Sequence, residues 1–461
     1  MHELPTEILV TVFKEVMRRA TRSADRYIAL FRLMLVCRRC CDIILGNVTF
    51  WSHITASDEE SIPFALKSIE RSGTGQLSAG IAWYSSVTAE QMVVPLTKLA
   101  NQSRRLTKFS IVSPSIPTLP RWTSPATNLH TLAIRNKGAH QPLINFFGGP
   151  LPRLRYLALE GFCSWPAGLF CNLYYITLQF PSTVGATSFT DLLDLLSASP
   201  ELRYLNIGGY TDGPRFHRPS KTIALPYLAE LTLFKSSSRN ILSHVILPSN
   251  VEVRLIESTI TEGDLGSNSL PGPGTSTLSY LAGLFTLRVT LDIKHSTLKL
   301  AAFKNGRSIP TIVIKNRITP HFRNAVARTL EDYTAIPAFA SVEVLFVVVD
   351  TPLQVPWNRW LSSFCSLRQL AVRTRDIAAL HSILRKELGC DPTLHPSPKH
   401  TLARNPHGMD SLRIDWHATS RRMHYCCVFR DTFHVEPWRA AELEMKPRRI
   451  VASMKGRDRY A

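Results

Sequence analysis

The sequence predicts an α/β chain: a short helical module at the N-terminus, then an irregular repeat solenoid with parallel strands on one face and helices and loops on the other. Three observations carry this prediction. Apolar residues recur at helical spacing through residues 4–45. One short apolar signature then returns six times between Leu106 and Leu228. The 461 residues are 44% apolar, which fills a long continuous core in a chain too large for one small domain.

In "ELPTEILVTVFKEVMRRA", Pro5 suits a first helical turn and Glu7 suits the positive end of a helix. Ile8, Leu9, Val12, Phe13 and Val16 follow at helical intervals. The stretch "YIALFRLMLVCRRCCDIIL", residues 27–45, reads as one further helix whose apolar stripe holds Leu35, Val36, Cys40, Ile43 and Ile44. Two such helices followed by "FWSHI" cannot cover all their apolar faces by themselves. The unit needs a partner.

Three cysteines within five residues, Cys37, Cys40 and Cys41, raise the question of a metal or redox site. Cys37 and Cys40 have the i, i+3 spacing of half a tetrahedral zinc site. The other half would have to come from the lone Cys163 and Cys171 or from the distant "HYCC" at 424–427. No second pair lies near, so the expectation is no metal and no cofactor. The thiols then serve as small apolar side chains on their helix.

The combination "ELPTEILVTVF…LMLVCRRCCDIIL…FWSHI" resembles an F-box of the pattern LPxEIL…V-C-[RK]-x-W-x-x-[IL]…LW, especially the F-box-like segment that opens many proteins of mushroom-forming fungi. The likeness covers residues 1–55 and rests on Leu4, Pro5, Glu7, Ile8, Leu9, Phe13, Val36, Cys37, Arg38, Asp42 and Trp51. Cys40 stands where that family usually has Trp, and the "RRATRSADRYIALFR" connection is longer than in the shortest members. The resemblance implies a three-helix hook that binds the Skp-type adaptor of a cullin-based ubiquitin ligase. It assigns adaptor binding to Leu4, Pro5, Ile8, Leu9, Leu35, Val36, Cys37 and Trp51. It further implies a substrate-recognition subunit, in the cytoplasm, the nucleus or both, that brings a target protein to the ligase. The alternative is a repeat scaffold that has lost adaptor binding.

The recurring signature places apolar residues at i, i+3 and i+5: "LTKFSI" (Leu106), "LHTLAI" (Leu129), "LRYLAL" (Leu154), "LYYITL" (Leu173), "LRYLNI" (Leu202) and "LAELTL" (Leu228). Successive copies lie about 19 to 29 residues apart, the range of leucine-rich repeats. The last two apolar residues alternate along a strand and point into one core, while the first seals the turn that feeds it. Between strands, "SFTDLLDLLSASP" reads as a helix capped by Ser188 or Thr190, burying Leu192, Leu193, Leu195 and Leu196, and ended by Pro200. Each repeat leaves an apolar face that only its neighbour covers, which makes a solenoid. The Asn of strict repeats is mostly absent, as in the degenerate arrays common in F-box proteins.

These readings divide the chain into the helical module at 1–55, a linker and the first solenoid helices at 56–100, and the repeat array at 101–261. A Gly-, Pro- and Ser-rich flexible loop follows at 262–279. The array is expected to continue over 280–445, where the signature returns at "VEVLFV" (Val342), "LRQLAV" (Leu367) and "MDSLRI" (Met409), and to close on "HYCCVFRDTF" as a capping strand. A basic tail occupies 446–461.

Several function classes fall away. The net charge of +19 is spread along the chain without a Cys/His finger, an aromatic RNA-binding motif or a basic heptad helix, which disfavours nucleic acid. No phosphate-cradling, dinucleotide, nucleophile-elbow or zinc-protease motif is present, so no enzyme activity is expected. Apolar runs such as "VEVLFVVV" fall far short of a membrane span, and "MHELPTEIL" lacks the pattern of a secretory leader, which leads to the expectation of a reduced intracellular chain.

The repeat register also predicts a binding stripe. Two positions past each first apolar residue stand Lys108, Thr131, Tyr156, Tyr175, Tyr204 and Glu230; four past stand Ser110, Ala133, Ala158, Thr177, Asn206 and Thr232. Both columns face away from the core. The second is small, and the first carries a tyrosine ladder, Tyr156, Tyr175 and Tyr204, flanked by Lys108 and Glu230 as candidate target-binding residues.

Overall fold

A computed structural model of the chain describes residues 4–20, 23–82, 88–113, 122–138, 141–143, 147–180, 189–210, 221–234, 238–248, 251–256, 286–292, 297–304, 307–315, 342–349, 365–366, 369–374 and 410–415. The expected flexible loop at 262–279, the "HYCC" capping strand and the basic tail lie outside them. The chain is mixed α/β, with a parallel sheet and helices, and divides into one unit up to Leu202 and a second from Arg203 to Lys446.

The first unit opens with α1 (Thr6–Arg19), α2 (Ser23–Met34) and α3 (Arg38–Gly46). The single helix expected over 27–45 is therefore two. It breaks because Cys37 leaves the helical region, at φ −165° and ψ 164°, and its sulfur accepts the Cys40 amide hydrogen as an N-cap for α3. The predicted stripe splits with it: Cys40 and Ile44 turn inward, while Leu35 and Val36 sit out on the turn. Pro5, expected inside the first turn, directly precedes α1. The three helices have their own core of Leu9, Phe13, Met17, Leu30, Cys40, Ile44, Phe50 and Trp51.

A parallel sheet follows, with its strands paired in chain order: β1 (His53–Ala56), β2 (Leu77–Ala82), β3 (Leu106–Ser113), β4 (Thr131–Asn136), β5 (Tyr156–Glu160) and β6 (Tyr175–Gln179). Helices α4 (Ser61–Arg71) and α5 (Ala89–Asn101) link the first three strands, and α6 (Phe189–Ser197) follows the sixth. The stretch 56–100, read as linker and helices, thus also supplies a strand. β1 and β2 lack the leucine signature; β2 alternates buried and half-buried residues like the later strands, whereas Ile54, Thr55 and Ala56 of β1 are all buried.

Leu106, Leu129, Leu154 and Leu173 are all fully buried, as is the pair two strand positions apart that follows each of them, from Phe109 and Ile111 to Ile176 and Leu178. The sealing role is visible in the turns: the Leu129 and Leu154 amides donate to the carbonyls three residues earlier, of Ala126 and Leu151. After β5 the chain turns through Gly161 at φ 82°, where a β-carbon would run into the Asn136 carbonyl, so glycine is required. α6 buries Phe189 together with the four leucines expected from its sequence.

The helices are tied to the edge of this sheet. On α2, Tyr27 and Phe31 pack on Phe64 of α4, with ring centroids 5.6 and 5.1 Å apart. The Tyr27 hydroxyl accepts from the Thr55 amide and donates to the Thr55 carbonyl, both at 3.0 Å. It thereby satisfies the outward-facing amide and carbonyl of Thr55 on edge strand β1, which would otherwise be open to pairing.

The second unit repeats the parallel pattern in β7 (Tyr204–Gly208), β8 (Glu230–Phe234) and β9 (Glu252–Ile256), with α7 (Ser238–His244) between the last two. The register drifts at β9 because Val251 takes the sealing position one residue closer to its strand than Leu228 does: Leu231 pairs with Val253.

The same unit holds β10 (Thr286–Asp292), β11 (Thr297–Lys304), β12 (Arg307–Lys315), β13 (Val344–Val349), β14 (Gln369–Thr374) and β15 (Asp410–Asp415), in the sheet order β12-β11-β10-β13-β14-β15. The returning signatures at Val342, Leu367 and Met409 do feed strands. The sheet is mixed, however, where a continued parallel array was expected: β10-β11, β11-β12 and β14-β15 pair antiparallel. The reason lies in the connections. Only Asn305 and Gly306 separate β11 from β12, too short a link for a parallel crossover and a favoured hairpin dipeptide. Among the described residues, no helix is long and apolar enough to cross a membrane.

Candidate interaction surfaces

Helix α1 has two apolar stripes. One, of Leu9, Phe13 and Met17, closes the core of the helical module. The other, of Ile8, Val12 and Val16, lies on the surface; Leu4, Ile28 of α2, and Leu35 and Val36 of the α2–α3 turn are exposed as well. Leu35 is 84% exposed. Val16, Ile28, Ala29, Leu33 and Val36 line a shallow depression edged by Asp25 and Arg32. Glu15 on the same helix is held down to about 2, first by its bond from Arg18 and then by that from Arg19. A surface helix ordinarily shows a polar back to solvent, and this one adds the branched aliphatic side chains of Ile8, Val12 and Val16 to its exposed Glu7, Lys14 and Arg18.

Of the eight residues expected to bind an adaptor, Leu4, Pro5, Ile8, Leu35 and Val36 are exposed and Cys37 is half-buried. Leu9 and Trp51 are not surface residues: each is only 3% exposed and packs inside the module. Trp51 donates its indole N–H to the Ile44 carbonyl at 2.9 Å, and Arg71 of α4 lies over its ring. Val12, Val16 and Ile28 belong to the surface but were not singled out. The signal was present, because i, i+4, i+8 spacing sets Ile8, Val12 and Val16 apart from the neighbouring stripe of Leu9, Phe13 and Met17.

The second surface is the outward face of the parallel sheet. Register alignment puts His53, Ser78, Lys108, Thr131, Tyr156 and Tyr175 side by side across β1 to β6. The adjacent row is small: Thr55, Gly80, Ser110, Ala133, Ala158 and Thr177. Tyr156 and Tyr175 are neighbours, with ring centroids 6.2 Å apart; Tyr156 is half exposed and Tyr175 is partly covered. Lys108 is exposed on the same row. Tyr204 and Glu230 occupy equivalent positions within the second unit, paired with each other on β7 and β8, and Glu230 meets Arg254 at 3.0 Å. Sequence reasoning missed that the row extends to Ser78 and His53.

No protein-family model matches the chain, and no curated protein matches it. Two surfaces stand out by their chemistry, one apolar and helical, one polar and aromatic on a sheet. Among the described residues, no three His, Cys, Asp or Glu side chains converge as metal ligands would.

His53, at the β1 end of the polar row, is pushed down to about 4, chiefly by burial and then by the charges of Arg26 on α2 and Lys108 on β3. Its folded pKa lies below the ordinary value near 6.5, so the unfolded chain takes up the proton first as pH falls. The stability contributed by neutral His53 is complete above about pH 6.5 and is lost progressively toward pH 4. Denaturation midpoints measured across this window are expected to fall with pH, and less steeply in His53→Gln. An equal slope in the variant would remove His53 from the account.

Proposed function

We propose that this chain is a substrate receptor of a cullin-based ubiquitin ligase. Residues 1–55 form an F-box hook for a Skp-type adaptor, and the parallel strands belong to a leucine-rich-repeat-like solenoid whose outward row holds a target protein. One observation carries the reading: the N-terminal helices close a core of their own and still leave Leu4, Ile8, Val12, Val16, Ile28, Leu35 and Val36 at the surface. Exposed apolar side chains, three of which (Val16, Ile28 and Val36) line one depression, mark an interaction face on a module whose core is already complete. The resemblance of "LPTEIL" and "LVCR" to the F-box pattern names the partner.

In this role the chain supplies position and no reacting group. Docking one face on the adaptor and the other on a target raises the effective concentration of target lysines near the ubiquitin-carrying enzyme. The protein works in the cytoplasm, the nucleus or both. Co-purification of the full chain with a Skp-type adaptor and its cullin tests the proposal. Failure of a folded chain to capture adaptor would leave the repeat-scaffold alternative. On the target side, Tyr175→Ala is expected to reduce the set of proteins crosslinked to the chain while shifting the melting temperature by no more than about 3 °C. Unchanged crosslinking would remove the tyrosine row from target binding.

A further inference from the structure

The "CRRC" of residues 37–40 has a geometry that adaptor docking does not use. Cys37 stands at the N-cap of α3, half-buried, and Cys40 lies one turn on, fully buried. Their sulfurs are 3.3 Å apart, and the Cys40 amide donates to the Cys37 sulfur at 3.4 Å. The sulfurs need to approach by only about 1.3 Å to reach the roughly 2.05 Å of a disulfide. Two cysteines separated by two residues, the first half-buried at a helix N-terminus and the second wholly inside, form the arrangement in which an attacking thiol and a resolving thiol cooperate.

We propose that Cys37 and Cys40 form a dithiol modification site whose co-substrate is a low-molecular-weight disulfide. The electrostatics support the division of roles. The Cys40 amide and then its thiol favour the thiolate at Cys37 and hold its pKa below the ordinary value; burial, followed by the neighbouring Cys37, holds that of Cys40 above it. The Cys37 thiolate attacks one sulfur of the small disulfide RSSR, forming Cys37–S–SR and expelling RS⁻. Cys40 loses its proton, attacks the Cys37 sulfur, and expels the second RS⁻. The protein dithiol is oxidised by two electrons to a disulfide, RSSR is reduced to two RSH, and the two thiol protons end on the leaving thiolates.

Neither Cys41 nor Arg39 is an exchanging group, although the Arg39 amide and charge also favour the Cys37 thiolate. The Cys41 amide donates to the Cys37 carbonyl in the ordinary helical pattern, and the Arg39 guanidinium is engaged with the Leu4 carbonyl. Arg38 and Arg39 do supply a convenient readout. Trypsin cuts after both, so a bond from Cys37 to Cys40 joins the otherwise separate peptides 33–38 and 40–67.

The test is to equilibrate the full chain with mixtures of reduced and oxidised glutathione, alkylate it, digest it with trypsin and analyse it by mass spectrometry. The joined peptides are expected in oxidised chain and in Cys41→Ser, and are expected to separate on dithiothreitol treatment. Cys40→Ser, shown by circular dichroism to remain folded, is expected to lose the link and retain glutathione on Cys37. Iodoacetamide should label Cys37 in reduced chain roughly tenfold faster than Cys163 or Cys171 at neutral pH. No joined pair at any glutathione ratio, a link that survives in Cys40→Ser, or equal labelling of the three thiols would overturn the proposal.

Discussion

Trp51→Ala is expected to destabilise the helical module by about 3–5 kcal/mol, the usual cost of emptying a large aromatic site in a packed core. The ring is 3% exposed and belongs to the cluster of Leu9, Phe13, Met17, Leu30, Cys40, Ile44 and Phe50. Its removal also leaves the buried Ile44 carbonyl without the indole N–H and takes away the aromatic face beneath Arg71. Against a typical domain stability of about 5–15 kcal/mol, this loss removes much of the margin. Trp51→Phe keeps most of the packing and should cost far less. Denaturant titration followed by far-UV circular dichroism decides the matter: a loss below about 1 kcal/mol for the alanine variant would mean that Trp51 is not the keystone described above. Because the residue is internal, any effect of Trp51→Ala on partner capture should track unfolding.

The double variant Ile8→Glu, Val12→Glu is expected to separate binding from folding. Both side chains are about half exposed on α1, so the free protein should melt within about 2 °C of wild type. At an apolar interface the two carboxylates lose hydration without a partner, at a cost of several kcal/mol, or roughly a hundredfold or more in affinity. Pull-down with a Skp-type adaptor should therefore fail while the melting curve is retained. Full adaptor recovery with this variant would remove the α1 surface from the docking face. Leu9→Asp cannot make the distinction, since Leu9 lies in the core and a carboxylate there unfolds the module by itself.

The repeat signature was legible because each of its positions does one physical job. Leu129 seals a turn, Leu132 and Ile134 alternate inward, and Thr131 and Ala133 therefore face out; pairing β4 with β3 and β5 brings those assignments into line. The break between α2 and α3 was not legible. Neither proline nor glycine marks it, and its cap is Cys37, outside the set of short oxygen-bearing residues that cap helices most often. β1 escaped because "HITA" has no leucine, and β2 because Leu77, which pairs with Leu106, stands one residue closer to its inward pair Ala79 and Ile81 than the signature spacing, while Gly80 and Ala82 are poor strand markers. The antiparallel pairing of β11 with β12 has a sequence signal in the Asn-Gly dipeptide between them, but the nearby apolar runs also match a continued array. At the helical surface the residue types were read correctly and their orientation only in part. A sequence stripe that is apolar on two sides of α1 does not say which side is inward until α2 and α3 are in place.

The bond between Tyr27 and Thr55 gives the sheet a direction of growth during synthesis. α2 leaves the ribosome ahead of β1, and β1 ahead of β2, so the tyrosine is at hand for the outer edge of the first strand before the second strand emerges. Each later strand then has one open side on which to add, and chain order becomes spatial order. With its amide and carbonyl already bonded, Thr55 offers a second copy no free donor or acceptor at the middle of that outer margin.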